Sequence, residues 1–315
     1  MPTPATPPAP RRLMAAGVLL LAVCCLGTSI IFLRLSKLPP AHVAGLRLVV
    51  ASLLLAPMFW RDLRAARAAG AWRWQSLRFC LTPALLLAVH FILWVQGARL
   101  AVAANASLIV NMVPCAMPVA LFFVARERVN ARELIGTALA LGGVALLAAS
   151  DAHLAPEHLR GDAICFAAML LLAIYYAFGR KNGPRFSGVW LYVAPLYLIA
   201  GLSCLAAAPA LGEPLDSVAA PGIAPRREAM IILALAVLPT IFGHGLINWC
   251  LRHLRGQVVA VCGSAQFPFA GFLAFLVFGE LPPAMLLPAS ALVLSGAAIA
   301  VYARGPADAD RNRKS

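Results

Sequence analysis

The sequence predicts an all-α integral membrane protein in which ten transmembrane helices form two inverted five-helix repeats. Three observations lead to this. First, the 315-residue chain is 62% hydrophobic and 12% charged, with a mean hydropathy of +0.85, a balance that water-soluble domains do not show. Second, apolar stretches recur near 13–33, 41–60, 79–97, 102–124, 133–150, 163–179, 187–209, 229–251, 257–279 and 283–303. Each approaches the roughly 20 residues that a helix needs to cross about 30 Å of hydrocarbon. Third, the second five stretches repeat the first five at an offset of 153 residues. The best-matched segments begin LWVQGARL at Leu93 and INWCLRHL at Ile247, and the offset carries Arg99 onto Arg252, Asn111 onto Ser264, Glu127 onto Glu280 and Gly143 onto Gly296.

An odd number of spans per repeat places the second repeat upside down in the membrane relative to the first. The runs are continuous rather than alternating, which excludes a β-barrel. The formal charge of +14 is explained by its placement. When the loops are numbered alternately, 19 Lys and Arg residues fall on one side and 6 on the other, with Arg47 inside a span. That is the positive-inside bias, and it puts both termini in the cytoplasm rather than marking a nucleic-acid surface. The chain divides into a disordered proline-rich tail (1–12), a first repeat (13–150), a second repeat (161–303) and a basic cytoplasmic tail (304–315). Arg11-Arg12 before an apolar run looks like an export signal. The run is too long for a signal core and lacks a small-residue cleavage site, so an uncleaved first span is expected.

Taken in order, the spans differ in what they carry. Arg47 lies about 9 Å into the second span at 1.5 Å per residue, where it can snorkel outward or pair with Glu280. Its repeat counterpart is Ala200. The third span puts His90 and Trp94 on one face. The fourth carries Ser107 and Asn111 on one face, followed by Pro114 and Pro118, and ends near Glu127. Gly136, Ala140 and Gly143 in the fifth span, and Ala291, Ser295, Gly296 and Ala300 in the tenth, suit close helix packing in lipid. The sixth span carries Tyr175-Tyr176. The segment 210–228, with three prolines, reads as an external loop. The eighth span aligns His244, Asn248 and Arg252, and the ninth repeats the fourth with Ser264, Gln266, Phe267 and Pro268. The eight cysteines all fall within spans without ligand spacing and read as apolar filler, so neither a metal nor a cofactor is expected.

Polar groups inside a membrane are costly and mark function, and a proline within a span bends the helix and frees carbonyls. The shared Asn/Ser-to-proline pattern of spans four and nine therefore points to a cavity at the midplane between the repeats. Its expected lining is His90, Trp94, Ser107, Asn111, Pro114, Tyr176, His244, Asn248, Ser264, Phe267 and Pro268. Arg47, Glu127 and Glu280 are expected in gating or structural roles. Either histidine can carry a proton or simply hold a hydrogen bond. No Asp or Glu lies at the centre of a span, which weakens carboxylate-driven proton coupling.

The element A-x-A-x-L-I-x-x-x-x-P from Ala104 to Pro114, then Arg126-Glu127-Arg128-Val129 and Ile135-Gly136 through Gly142-Gly143, resembles the EamA-type repeat of the drug/metabolite transporter superfamily. Val258 to Pro268 and Gly279-Glu280-Leu281 resemble it again, as do Leu26-Gly27-Thr28-Ser29 and Leu46-Arg47 at the opening. The chain departs from the family at Cys25-Leu26, where a Trp is common, and in the span-six aromatics. Those departures bear on the cargo. The resemblance implies a ten-span carrier of small metabolites, frequently an exporter of amino acids or related compounds, in the bacterial inner membrane. A monomer or homodimer in the lipid bilayer is expected. Two other readings compete. A membrane enzyme for lipid-linked substrates would need clustered acids or histidines at an interface, and a non-transporting scaffold or sensor would not need polar residues repeated at the midplane.

Overall fold

A computed structural model describes residues 9–101, 103–150, 159–214, 216–217, 222–279 and 284–302. All regular structure among the described residues is helical. Fourteen α-helical segments follow one another. They are α1 (Ala9–Gly27), α2 (Ser29–Leu35), α3 (Pro40–Ala68), α4 (Arg78–Leu100), α5 (Ala103–Val110), α6 (Val113–Ala120), α7 (Ala131–Ser150), α8 (Leu159–Asn182), α9 (Trp190–Ala207), α10 (Pro225–Leu235), α11 (Leu246–His253), α12 (Gly256–Gly263), α13 (Gln266–Phe278) and α14 (Leu286–Tyr302). Joined into continuous runs, eight of these are long and apolar enough to cross a membrane. The two that remain, α7 and α14, pack against each other.

Several apolar stretches that read as single spans are broken. The first is interrupted after Gly27, where the Thr28 hydroxyl donates to the Cys25 carbonyl at 2.7 Å. The fourth splits into α5 and α6 and then widens into a π-helical turn over Leu121–Ala125. The ninth splits into α12 and α13. The eighth contains a long π-helical stretch, Ala236–Gly245, around Pro239. Proline is the cause common to the breaks in the fourth, eighth and ninth, because it lacks the N–H that its i−4 carbonyl requires and its ring crowds that carbonyl; the first break contains none. The segment 210–228 is not all loop: α10 begins within it at Pro225, and its two glutamates reach neighbouring elements. Glu213 accepts from the Ala41 and His42 amides and from His42 Nδ1 at 3.0 Å, capping α3 with the negative charge its N-terminus favours. Glu228 accepts from the Ser36 hydroxyl (2.8 Å) and the Lys37 amide (2.9 Å).

Packing follows an internal two-fold relation. α3 lies on α9 and α7 on α14, while α4 on α8 has its counterpart in α1 on α11 and the π-stretch before it. The closest approaches obey the same relation. A Cβ on Gly136 would stand 2.6 Å from the Gly296 carbonyl oxygen, and one on Gly143 would stand 2.5 Å from that of Ala289. Adding 153 to one member of each contact gives a member of the other. Gly45 and Gly201 similarly press onto each other's carbonyls between α3 and α9. Without a hydrophobic driving force between helices in lipid, such close packing of small residues is what holds them together.

Candidate functional site

The two interrupted helices meet at their breaks. In the first repeat the Asn111 and Met112 amides turn back to Leu108 and Ile109, and in the second the Ser264 and Ala265 amides turn back to Val261 and Cys262. These are the same bonds displaced by 153 residues, and Pro114 and Pro268 follow each turn. The Ser264 hydroxyl donates to the Asn111 carbonyl at 2.9 Å, and Gln266 Nε2 donates to Asn111 Oδ1 at 3.0 Å. Repeat-equivalent residues thus touch each other, and the local two-fold axis passes between them.

Beside this junction lies a narrow cavity of about 50 Å³, smaller than an open small-molecule site of a few hundred Å³. His90, Phe91 and Trp94 of α4 face it, with Tyr176 of α8, His244 and Asn111. Its other walls include Leu26, Ser29, Ile30, Leu172 and Gln266. His90 Nδ1 lies 2.8 Å from the Ala168 carbonyl, and the His90 and His244 rings are 6.5 Å apart. Phe91 and Tyr176 flank His244, with ring centroids at 5.1 and 6.3 Å. His244 Nδ1 is buried without a hydrogen-bond partner. Among the described residues, no acidic one lines the cavity.

Of the residues expected there, His90, Trp94, Asn111, Tyr176 and His244 face the cavity, and the other described ones do not. Asn248 is one turn beyond His244, buried, and donates to the Tyr175 hydroxyl (2.6 Å) and the His244 carbonyl (2.8 Å). Ser264 faces Asn111. The Pro114 carbonyl accepts from Gln257 Nε2 at 3.0 Å. Phe267 is displaced furthest. It packs in a separate apolar cluster with Leu108, Val144, Ala289 and Val293, because the turn at Ser264 rotates α13 away from the phase of α12. Pro268 shapes that turn and is not part of the wall. The side chain of Ser107, and Glu280 as a whole, lie outside the described residues. Phe91, Leu26, Ile30 and Leu172 carry no polar signal in the sequence, and only the crossing of the helices brings them to the cavity. Gln266, beside the repeated pattern, was the one legible addition.

Arg47 does not snorkel. It is fully buried, and its Nε donates to Thr240 Oγ1 at 2.9 Å. Thr240 in turn donates to the Leu235 carbonyl at 2.7 Å inside the π-stretch. The guanidinium carbon stands 4.4 Å over the Phe91 ring, a cation–π contact. Nη1 and Nη2 have no hydrogen-bond partner among the described residues.

At the opposite end of the broken helices, Glu127 Oε2 pairs with Arg180 Nε at 2.6 Å while its Oε1 accepts the Gly256 amide at 3.0 Å, capping α12 from the other repeat. Glu133 is buried and paired with Arg255, which also donates to the Arg128 carbonyl. Both ties cross from the first repeat to the second.

The profile of the EamA-like transporter family matches residues 13–149 and again 159–302. The chain belongs to the EamA-like transporter family. This family assignment makes it a membrane transporter of the drug/metabolite transporter superfamily. A solved crystal structure, described only as that of a protein, is similar to it with a TM-score of 0.68 at 21% identity, covering 92% of this chain and 97% of the other; at that identity the likeness concerns the fold. No functionally curated protein matches the chain.

Proposed function

We propose that this EamA-family protein is a secondary transporter that exports small metabolites, such as amino acids or related compounds, across a bacterial inner membrane. On this reading, α7 and α14 complete ten spans in two inverted five-helix repeats with both termini cytoplasmic, and the repeats rock about the cavity between them. The observation that carries the proposal is the contact of Asn111 with Ser264, repeat equivalents at matched helix breaks beside a cavity. Inverted-repeat carriers place their site at such discontinuous helices near the midplane. Glu127–Arg180 and Glu133–Arg255, both joining the repeats on the expected cytoplasmic side, then act as ties that close that side and must part when the cavity opens inward. Such ties are released more easily than a packed apolar seam, because the parted groups regain water.

Counterflow in proteoliposomes tests this. Purified protein is given a panel of radiolabelled amino acids and small organic acids, and at least one should exchange. Asn111→Trp and Ser264→Trp should each abolish that exchange while insertion and abundance stay normal. Wild-type exchange by both variants would place the pathway elsewhere.

A further inference from the structure

We propose that Arg47 is the anion-binding residue of the cavity, so that the cargo carries a carboxylate. This rests on the carrier reading above and narrows its substrate class. A guanidinium has no protonation state near neutrality in which it ceases to be a cation. Buried without a counter-charge it is among the costliest groups a bilayer protein can hold. Here it is fully buried with both amino groups unpartnered, and none of the ion pairs among the described residues involves it. Its Nε alone is occupied, by Thr240. The two free nitrogens form the outer edge of the planar fork that matches a carboxylate with two parallel hydrogen bonds.

The position of the fork relative to the cavity supports the same assignment. The Phe91 ring separates them: one face receives the guanidinium at 4.4 Å, its edge-on neighbour at 5.1 Å is His244, and Phe91 itself lines the cavity. On this proposal Phe91 rotates to let the head group reach Nη1 and Nη2. His244 Nδ1, the second unpartnered polar atom at this place, can hydrogen-bond the other end of the same head group. A cationic cargo finds no acidic residue among the described ones on the cavity wall, whereas an anionic one finds Arg47. The aromatic and aliphatic walls then receive an apolar body.

Matched acid and amide pairs test the assignment: leucine with leucinamide, phenylacetate with phenylacetamide, and lactate with lactamide. Binding is read as ligand-dependent thermal stabilisation of the purified full chain, and movement as counterflow in proteoliposomes. In wild type the acid of at least one pair should act at concentrations on the order of ten- to a hundredfold lower than its amide. Arg47→Gln should bring that ratio close to one. Thr240→Val, which removes only the Nε acceptor, should preserve it, whereas a purely structural Arg47 would make both variants alike. Amides acting as well as acids in every pair, or an undiminished preference in Arg47→Gln, overturns the proposal. Should Arg47→Gln fail to fold, phenylglyoxal modification of the wild type, mapped by peptide mass spectrometry, decides it. Slow labelling of Arg47 that the acids retard and the amides do not is expected, and an Arg47 inert under every condition overturns the assignment. Exchange of amides without acids contradicts Arg47 alone and leaves the carrier intact. A protein that exchanges none of the panel contradicts the carrier reading, and the labelling pattern still decides Arg47.

Discussion

Arg126 holds a left-handed backbone conformation (φ 56°), and its repeat equivalent Gly279 holds nearly the same one (φ 67°). Each ends its helix in this conformation, Arg126 after a π-turn and Gly279 after an α-helix, but only glycine lacks the Cβ that opposes it, which costs other residues roughly 1–2 kcal/mol. Arg126→Gly should therefore raise stability by about 1 kcal/mol, after allowing for the extra freedom of glycine in the unfolded chain. Thermal unfolding in detergent measures this, and a lowered midpoint would contradict it. A second contrast lies in two adjacent glycines of α7. A Cβ at Gly143 meets the Ala289 carbonyl at 2.5 Å, while one at Gly142 meets nothing within 4 Å. Gly143→Ala should destabilise by about 1–3 kcal/mol through overpacking, and Gly142→Ala should be neutral or stabilising by up to ~1 kcal/mol. Equal effects would mean that α7 and α14 do not approach as closely as described. Residues of this kind were only partly legible in the sequence. Glu127 stood out by its repeated spacing, but nothing near Thr240 or Glu213 announces that one meets Arg47 and the other caps a helix 171 residues away.

Among the elements, α7 shows how local chemistry and long-range ties combine. Asn130 Oδ1 accepts the Glu133 amide and Glu133 Oε2 accepts the Asn130 amide, both at 2.9 Å. This is the reciprocal arrangement of a capping box. The same carboxylate pairs with Arg255. Glu133→Ala removes the cap and the ion pair with Arg255, so it should cost roughly 2–3 kcal/mol. Glu133→Gln keeps the cap and should cost less. Denaturation of both variants in detergent checks the order, and a Gln variant as unstable as the Ala variant would show that the cap contributes nothing. The apolar stretches and their proline breaks could be read from hydropathy and spacing, since both are one-dimensional signals. The π-stretch Ala236–Gly245 could not. Pro239 frees a carbonyl there, but the extra residue in the turn is held by Thr240 and, across the bundle, by Arg47. Phe267 was misplaced for a related reason: a turn of two residues at Ser264 shifts the helical phase, and a periodicity carried straight through it points the ring to the wrong side.

As a whole, the molecule is two repeats related by a two-fold axis, with a cavity beside that axis and ionic ties at one end. Among the described residues no carboxylate lines the cavity, and its two histidines have their rings buried against Phe91 and Tyr176. An imposed pH gradient alone should therefore not drive uphill accumulation of a substrate in proteoliposomes, and His90→Ala combined with His244→Ala should leave downhill exchange measurable. Accumulation driven by pH alone, lost in that double variant, would contradict this and make the histidines proton carriers. The inversion of the repeats underlies all of it, and side-specific labelling tests it most directly. In a cysteine-free background that still exchanges substrate, single cysteines replace the repeat equivalents Arg128 and Leu281, and a membrane-impermeant maleimide is applied to right-side-out and inside-out vesicles. The account predicts that Arg128→Cys reacts only from the cytoplasmic face and Leu281→Cys only from the external face; labelling of both from the same face would contradict it.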